Sequence, residues 1–205
     1  MISEARYVIK RAHAERLITA VADLLSASRL ALDDLEGISI SIGPGSFTGL
    51  RIGLAAVKGL VFGRNIPVAG VSTLEVLAHC GRFWNGEIRP LIRAQADEAY
   101  TAAFREDGGE LVMKQGARLI AMDELETVVA EKTLLIISGF KSYQDYITPK
   151  VKEKVSIALP QDSMISGFTV ARLGWQRFEN NQVDAVENLE PFYLKEFKAK
   201  KKIGL

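Results

Sequence analysis

Isoleucines at 38, 40 and 42 alternate with serines at 39 and 41, and the run ends in Gly43-Pro44-Gly45-Ser46-Phe47-Thr48-Gly49-Leu50-Arg51. A period-two alternation is the pattern of a strand with one apolar face. The glycines at 43, 45 and 49 allow positive φ and close approach of other backbone. Ser46 or Thr48 can accept the orphan amides of a helix start. The spacing therefore predicts a strand, a tight loop and then a helix to about Gly63. Pro67 introduces a second apolar strand, Val68-Ala69-Gly70-Val71. Ser72 or Thr73 then caps a helix through about Cys80, and Ser72 with Glu75 has capping-box spacing. This order is the grammar of an α/β layer with parallel strands.

The flanking chain extends the pattern. A short β-prone run opens at Tyr7, and residues 12–28 repeat Leu17, Ala20, Val21, Leu24 and Leu25 at helical spacing. Residues 30–36 read as a connection with a short turn of helix. After Cys80, residues 81–86 look like a boundary. Strands are predicted at 88–94, 99–105 and 110–114, with Asp107-Gly108-Gly109 as a hairpin turn. A helix at 123–132, strands at 133–138 and 155–158, a helix at 164–180 and an extended closing segment at 189–194 follow.

Composition enters as a set of exclusions. The chain has 205 residues, 48% hydrophobic, enough for one large domain or two small lobes without staples. One cysteine permits no intrachain disulfide and fits a reducing, cytosolic setting. The first residues carry charges where a signal peptide needs an apolar core, and no run approaches the roughly 18 residues of a membrane span. Lys+Arg 26 against Asp+Glu 25 leaves a charge of +1, without the basic field of a dedicated nucleic-acid binder.

Candidate chemistry is sparse. The glycine loop running into a helix start offers backbone N–H groups to an anion. It lacks the Gly-Lys-Ser/Thr ending of a P-loop and the spacing of GxGxxG, and Phe47 sits where a phosphate needs polar company, so a tight turn is the plainer reading. Ala55, Gly59 and Gly63 recur every four residues, as do Gly49 and Gly53. Such a stripe lets another backbone come close, either a partner's or that of the chain's own sheet. His13 and His79 are the only histidines and lie far apart, so a zinc site is hard to build. His13 reads as a surface or capping residue. Cys80 beside His79 points elsewhere on a helix and is expected in the core. Lysines 195, 198, 200, 201 and 202 form a basic tail, and Arg6, Lys10, Arg11 and Arg16 a second cluster. Both read as solvated, with a phosphate-binding arm as the alternative.

The run Ser41-Ile42-Gly43-Pro44-Gly45-Ser46-Phe47-Thr48-Gly49-Leu50-Arg51-Ile52-Gly53, followed by Ile66-Pro67-Val68 and Val71-Ser72-Thr73-Leu74, closely resembles the TsaB family of tRNA N6-threonylcarbamoyladenosine synthesis. Arg11-Ala12-His13-Ala14-Glu15-Arg16-Leu17 resembles its segment before the first helix, and Pro191-Phe192-Tyr193-Leu194 its closing motif. The resemblance implies an α/β, actin-like ATPase (RNase H-like) fold of two lobes, here 1–82 and 83–205, the second carrying the last helix and the basic tail. It implies a scaffold without catalysis, cofactor or metal, acting in the cytoplasm. The expected partners are a TsaD-type enzyme in a heterodimer, a TsaE-type ATPase in the assembly and a second copy when alone, with tRNA met indirectly. His13, Leu17, Phe47, Arg51, Ala55, Gly59 and Gly63 are the implied interface, and Gly43, Pro44, Gly45, Ser46, Thr48 and Gly49 the signature loop. The related transferase carries two metal-binding histidines at positions that correspond here to Thr73 and Leu77, neither able to replace imidazole. A glycoprotease-like metallopeptidase is the alternative function. The family's opening Asp-Thr-Ser strand and hairpin have no counterpart, so the strand at residues 7–10 would be third in its sheet. The expectation is a shortened first lobe with exposed strand edges.

Overall fold

The computed structural model describes residues 1–7, 13–95, 97–139, 143–159 and 163–194, with the side chains of 13–15 outside that description. The first layer comprises α1 (His13–Ala27), β1 (Ile38–Gly43), α2 (Phe47–Val61), β2 (Val68–Ser72) and α3 (Thr73–Ala78). β1 and β2 pair in parallel, Ile38 opposite Val68 through Ser41 opposite Val71. The alternation in β1 explains the layering. Ile38, Ile40 and Ile42 pack with Leu54, Val57 and Val61 of α2. On the other face, the Ser41 and Thr73 hydroxyls share a 2.6 Å hydrogen bond.

The second sheet holds β3 (Glu87–Arg93), β4 (Glu98–Asp107), β5 (Glu110–Ala121), β6 (Thr133–Ser138) and β7 (Val155–Ile157) in the order β5-β4-β3-β6-β7. β3, β4 and β5 form an antiparallel meander, whereas β3, β6 and β7 run parallel. One core gathers Leu91, Ile120, Met122, Leu125, Leu135 and Val151, drawing on the short helices α4 (Leu125–Val128) and α5 (Pro149–Lys154). The other joins Leu74, Leu77 and Ala78 of α3 to Ile88, Ala102, Phe104 and Ile136. Helix α3 is therefore buried between the two sheets.

Helix α6 (Gly167–Glu179) does not stay with the second sheet. Leu173 and Val170 join Val71 and Val76 in one cluster, and Gly174 lies against Ser39 and Ala69. Asp184 follows it back, its N–H bonded to the Val68 carbonyl and its carboxylate accepting from Gly70 N–H at 2.8 Å. The last helix, grouped by the sequence with residues 83–205, thus covers the serine face of β1. That face needs a cover, because α2 already occupies the isoleucine face.

Several expectations need correction. Ser72 remains in the strand opposite Gly43 and makes no side-chain cap, so the Ser72–Glu75 capping box does not form. Cys80 is exposed rather than in the core. Helix α3 ends at Ala78 and a 3-10 turn, His79–Gly81, follows, which changes the angular step between side chains. The helix expected at 123–132 is the single turn of α4 after a 3-10 turn, Met122–Glu124. β5 runs on to Ala121 because β4 pairs with it as far as Glu98, through a register irregularity between Thr101 and Phe104. The strand expected from Tyr7 is absent at Tyr7 itself, and residues 8–10 lie outside the described residues, as does the lysine tail.

The N-terminal segment docks on α6. The Glu4 carboxylate accepts from Ser166 Oγ at 2.8 Å and from Phe168 N–H at 3.3 Å, at the positive end of that helix. The Ser166 hydrogen bond, more than any other influence, lowers its pKa below the ordinary 4.5. A depressed carboxylate stabilises the folded contact above the unfolded pKa and loses it as pH falls through the folded value. Acidification below about 4.5 is expected to release residues 1–7 from α6, read as loss of the Phe168 amide shift in an NMR titration. Glu4→Gln should abolish that titration.

Candidate partner interface

The glycine loop works as a strand-to-helix joint. Gly43 has φ +119°, and a Cβ there would meet the Phe192 carbonyl oxygen at 2.9 Å. Gly43-Pro44 is a cis peptide. Ser46 caps α2, its Oγ accepting from Gly49 N–H at 3.2 Å, so of the two candidate caps it is Ser46 and not Thr48. The cap leaves that amide spoken for within the loop.

The closing segment returns to this joint. Phe192 N–H donates to the Ile42 carbonyl at 2.8 Å. Tyr193 then reaches α2. Its ring lies 5.2 Å from that of Phe47, and its hydroxyl accepts from Arg51 Nε at 3.0 Å. The Arg51 guanidinium also stands 3.8 Å over the Phe47 ring, a cation–π contact. Two stretches 142 residues apart are thereby joined into one surface. Arg51→Ala removes both contacts and is expected to cost about 1 kcal/mol and to speed amide exchange in residues 192–194. Unchanged exchange there would show that Ile42 alone holds the segment.

Outward from the joint, α2 presents Thr48, Arg51, Ala55 and Gly59 to solvent, and Phe62 just past its end is 84% exposed. A Cβ at Gly59 would meet nothing within 4 Å, so its lack of a side chain serves no packing inside this chain. Gly53 is different, since a Cβ there would touch Ile40 Cδ1 at 3.4 Å. Gly63 lies outside the helix, which ends at Val61. It has φ +71° and belongs to the turn where Arg64 N–H bonds the Val61 carbonyl. The four-residue stripe therefore shortens to Ala55 and Gly59. Helix α1 packs beside α2, yet Leu17, Ala20, Val21, Leu24 and Leu25 are only half-buried and Ile18 is 51% exposed. α1 begins at His13, whose side chain lies outside the described residues.

Chemical groups do not converge here. Thr73 Oγ1 is engaged by Ser41, and Leu77 is fully buried in the core, so both side chains are committed to packing. Among the described residues no group of three or more His, Cys, Asp or Glu side chains gathers as a metal site. Nor is any helix among them long and apolar enough to cross a membrane. Sequence reasoning did not find Tyr193 as the partner of Arg51 and Phe47. The aromatic-rich Phe192-Tyr193 pair near the end was the available signal.

The helix-covered parallel pair and the mixed sheet fit an α/β fold of the actin-like, RNase H-like class. Two Pseudomonas aeruginosa structures share the fold. One, described as an uncharacterized protein with similarity to peptidase YeaZ, superposes with TM-score 0.77 at 24% identity, covering 92% of this chain and 87% of the other. The other, YeaZ, gives 0.75 at 24%, covering 91% and 88%. The chain belongs to the TsaD family, tRNA N6-adenosine threonylcarbamoyltransferase, whose model matches residues 7–204. Within that family its resemblance to TsaB holds along the chain. The tRNA threonylcarbamoyladenosine biosynthesis protein TsaB of Escherichia coli is 27% identical over 201 residues, 94% of this chain and 85% of the relative. The Bacillus subtilis TsaB is 38% identical over 111 residues, 54% of this chain and about half, 48%, of that relative. A Paracoccus denitrificans tRNA N6-adenosine threonylcarbamoyltransferase is 32% identical over 112 residues, 55% of this chain and 32% of that enzyme.

Proposed function

We propose that this chain is a non-catalytic subunit in tRNA threonylcarbamoyladenosine biosynthesis that binds and activates a TsaD-type enzyme. The observation that carries this reading is the solvent face of α2 with α1 beside it. Among the described residues nothing fills the space above Gly59, Phe62 just past the helix end is exposed, and the leucines of the neighbouring α1 are only half-buried. A helix face of that kind suits another helix approaching closely. Leu17, Phe47, Arg51, Ala55 and Gly59 form the contact, His13 extends it along α1, and Gly63 sets where α2 stops. The same face serves a second copy when the enzyme is absent, and a TsaE-type ATPase joins the assembly. The tRNA is met through the enzyme, in the cytoplasm. Residues 1–82 and 83–205 are the two lobes, with α6 returning from the second to brace the first.

A metallopeptidase is disfavoured on residue type, since Thr73 and Leu77 stand where imidazoles are needed and both are committed to the core. The binding reading is tested by size-exclusion chromatography of the purified chain mixed with a TsaD-type enzyme. A one-to-one complex is expected. Separate elution at micromolar concentrations would overturn it.

A further inference from the structure

A groove of about 390 Å³ lies away from α2, between the 3-10 turn after α3, helix α6 and the β4–β5 hairpin. His79, Arg82 and Phe83 line one wall, Arg172 of α6 lies beside them, and Glu106, Gly109, Glu110 and Leu111 form the hairpin side. Arg172 Nη2 is 2.8 Å from His79 Nδ1. A guanidinium can only donate, so Nδ1 must accept, and the ring is neutral with its proton on Nε2. Burial above all, then Arg172 and Arg82, pushes the His79 pKa down to about 4. Arg172 thus spends a donor on a neutral ring. Arg82 stands 4.6 Å over the Phe83 ring. Among the described residues neither arginine has a carboxylate partner within salt-bridge distance. Partial burial, then the neighbouring charge of Arg82, lowers the pKa of Arg172.

We propose that this groove binds a small phosphomonoester bearing hydroxyl groups, with its phosphate between Arg82 and Arg172. A dianion offers acceptors to two guanidiniums arriving from different elements, and charge-assisted bonds of this kind are short and strong. The carboxylates of Glu106 and Glu110 face them from the hairpin. They accept hydroxyl donors on the body of the ligand and repel further negative charge, which disfavours a polyanion such as RNA. Glu106 is held for this by the turn, where Gly109 N–H donates to its Oε1. Phe83, 87% exposed, supplies an apolar wall.

Titration calorimetry of the full chain near neutral pH, with ribose 5-phosphate, inorganic phosphate and a short single-stranded RNA, tests the proposal. Ribose 5-phosphate is expected to bind saturably with Kd of about 1 mM or tighter. Inorganic phosphate should bind several-fold more weakly, at about a fifth of that affinity or less. Arg82→Gln, at an exposed position that folding does not need, should weaken the sugar phosphate about tenfold. Glu106→Gln should shrink the preference for the sugar phosphate over phosphate. No saturable binding, binding untouched by Arg82→Gln, or tighter binding of the RNA than of ribose 5-phosphate would each overturn the site.

Discussion

Gly59→Leu is expected to abolish pairing with the TsaD-type enzyme while leaving the chain folded. The two halves of that expectation come from the same observation. A Cβ at Gly59 points into open space, so leucine meets no clash within the molecule. Glycine inside a helix is worse than leucine by somewhat under 1 kcal/mol, so the isolated variant should be as stable as the parent or slightly more so. A partner backbone seated over Gly59, by contrast, would meet four extra carbons. Loss of a central interface contact of this kind weakens association on the order of 100-fold. Gly59→Ala is the graded control and should retain most of the affinity. Chromatography of each variant with the enzyme, beside a melting curve of each alone, separates the effects. An unchanged heterodimer with leucine would move the interface off α2.

Gly174→Ala should be strongly destabilising. A Cβ there would fall 1.7 Å from Ser39 Oγ and 2.5 Å from Ser39 Cβ. Ser39 lies within β1 and Gly174 within α6, so neither backbone yields without the other element shifting. Overpacking of this severity is expected to cost about 3 kcal/mol, a large part of a typical domain's stability. In a chain of this size that lowers the melting temperature by about 10 °C. Ser39→Gly removes the colliding atoms, so the double variant should recover at least 1–2 kcal/mol, roughly the coupling seen between touching residues. A loss below about 0.5 kcal/mol would mean that α6 does not rest on β1 as described.

The local part of this architecture was legible in the sequence. Thr133–Ser138 is a strand with the predicted bounds, because the apolar run is too short for a helix and carries β-branched Thr133, Ile136 and Ile137. Gly108 and Gly109 both take positive φ, as the two-residue hairpin requires, and Ser46 caps α2 from the loop. What the sequence hid was set by distant partners. Ser72 or Thr73 is the cap the local pattern offers, but Ser72 makes no cap hydrogen bond and the Thr73 hydroxyl is taken by Ser41 of β1. Residues 129–132 have helical composition, yet Ala130 instead bonds the Thr133 side chain and turns the chain into β6. Cys80 left the core because a 3-10 turn changed the rotation after Ala78. On the candidate interface, the small residues of α2 were visible as a periodicity. Which of them face solvent, and the clasp of Tyr193 on Arg51 and Phe47, depend on contacts that no spacing encodes.

The central claim is that this chain makes a TsaD-type enzyme competent for tRNA threonylcarbamoylation through the α2 face. Its most direct test is the level of threonylcarbamoyladenosine in tRNA from bacterial cells depleted of their own TsaB and expressing this chain. The parent chain is expected to restore the modification, and Gly59→Leu, present at the same level, is expected not to. Restoration by both, or by neither while the parent chain forms a complex with the cells' TsaD, would contradict that claim.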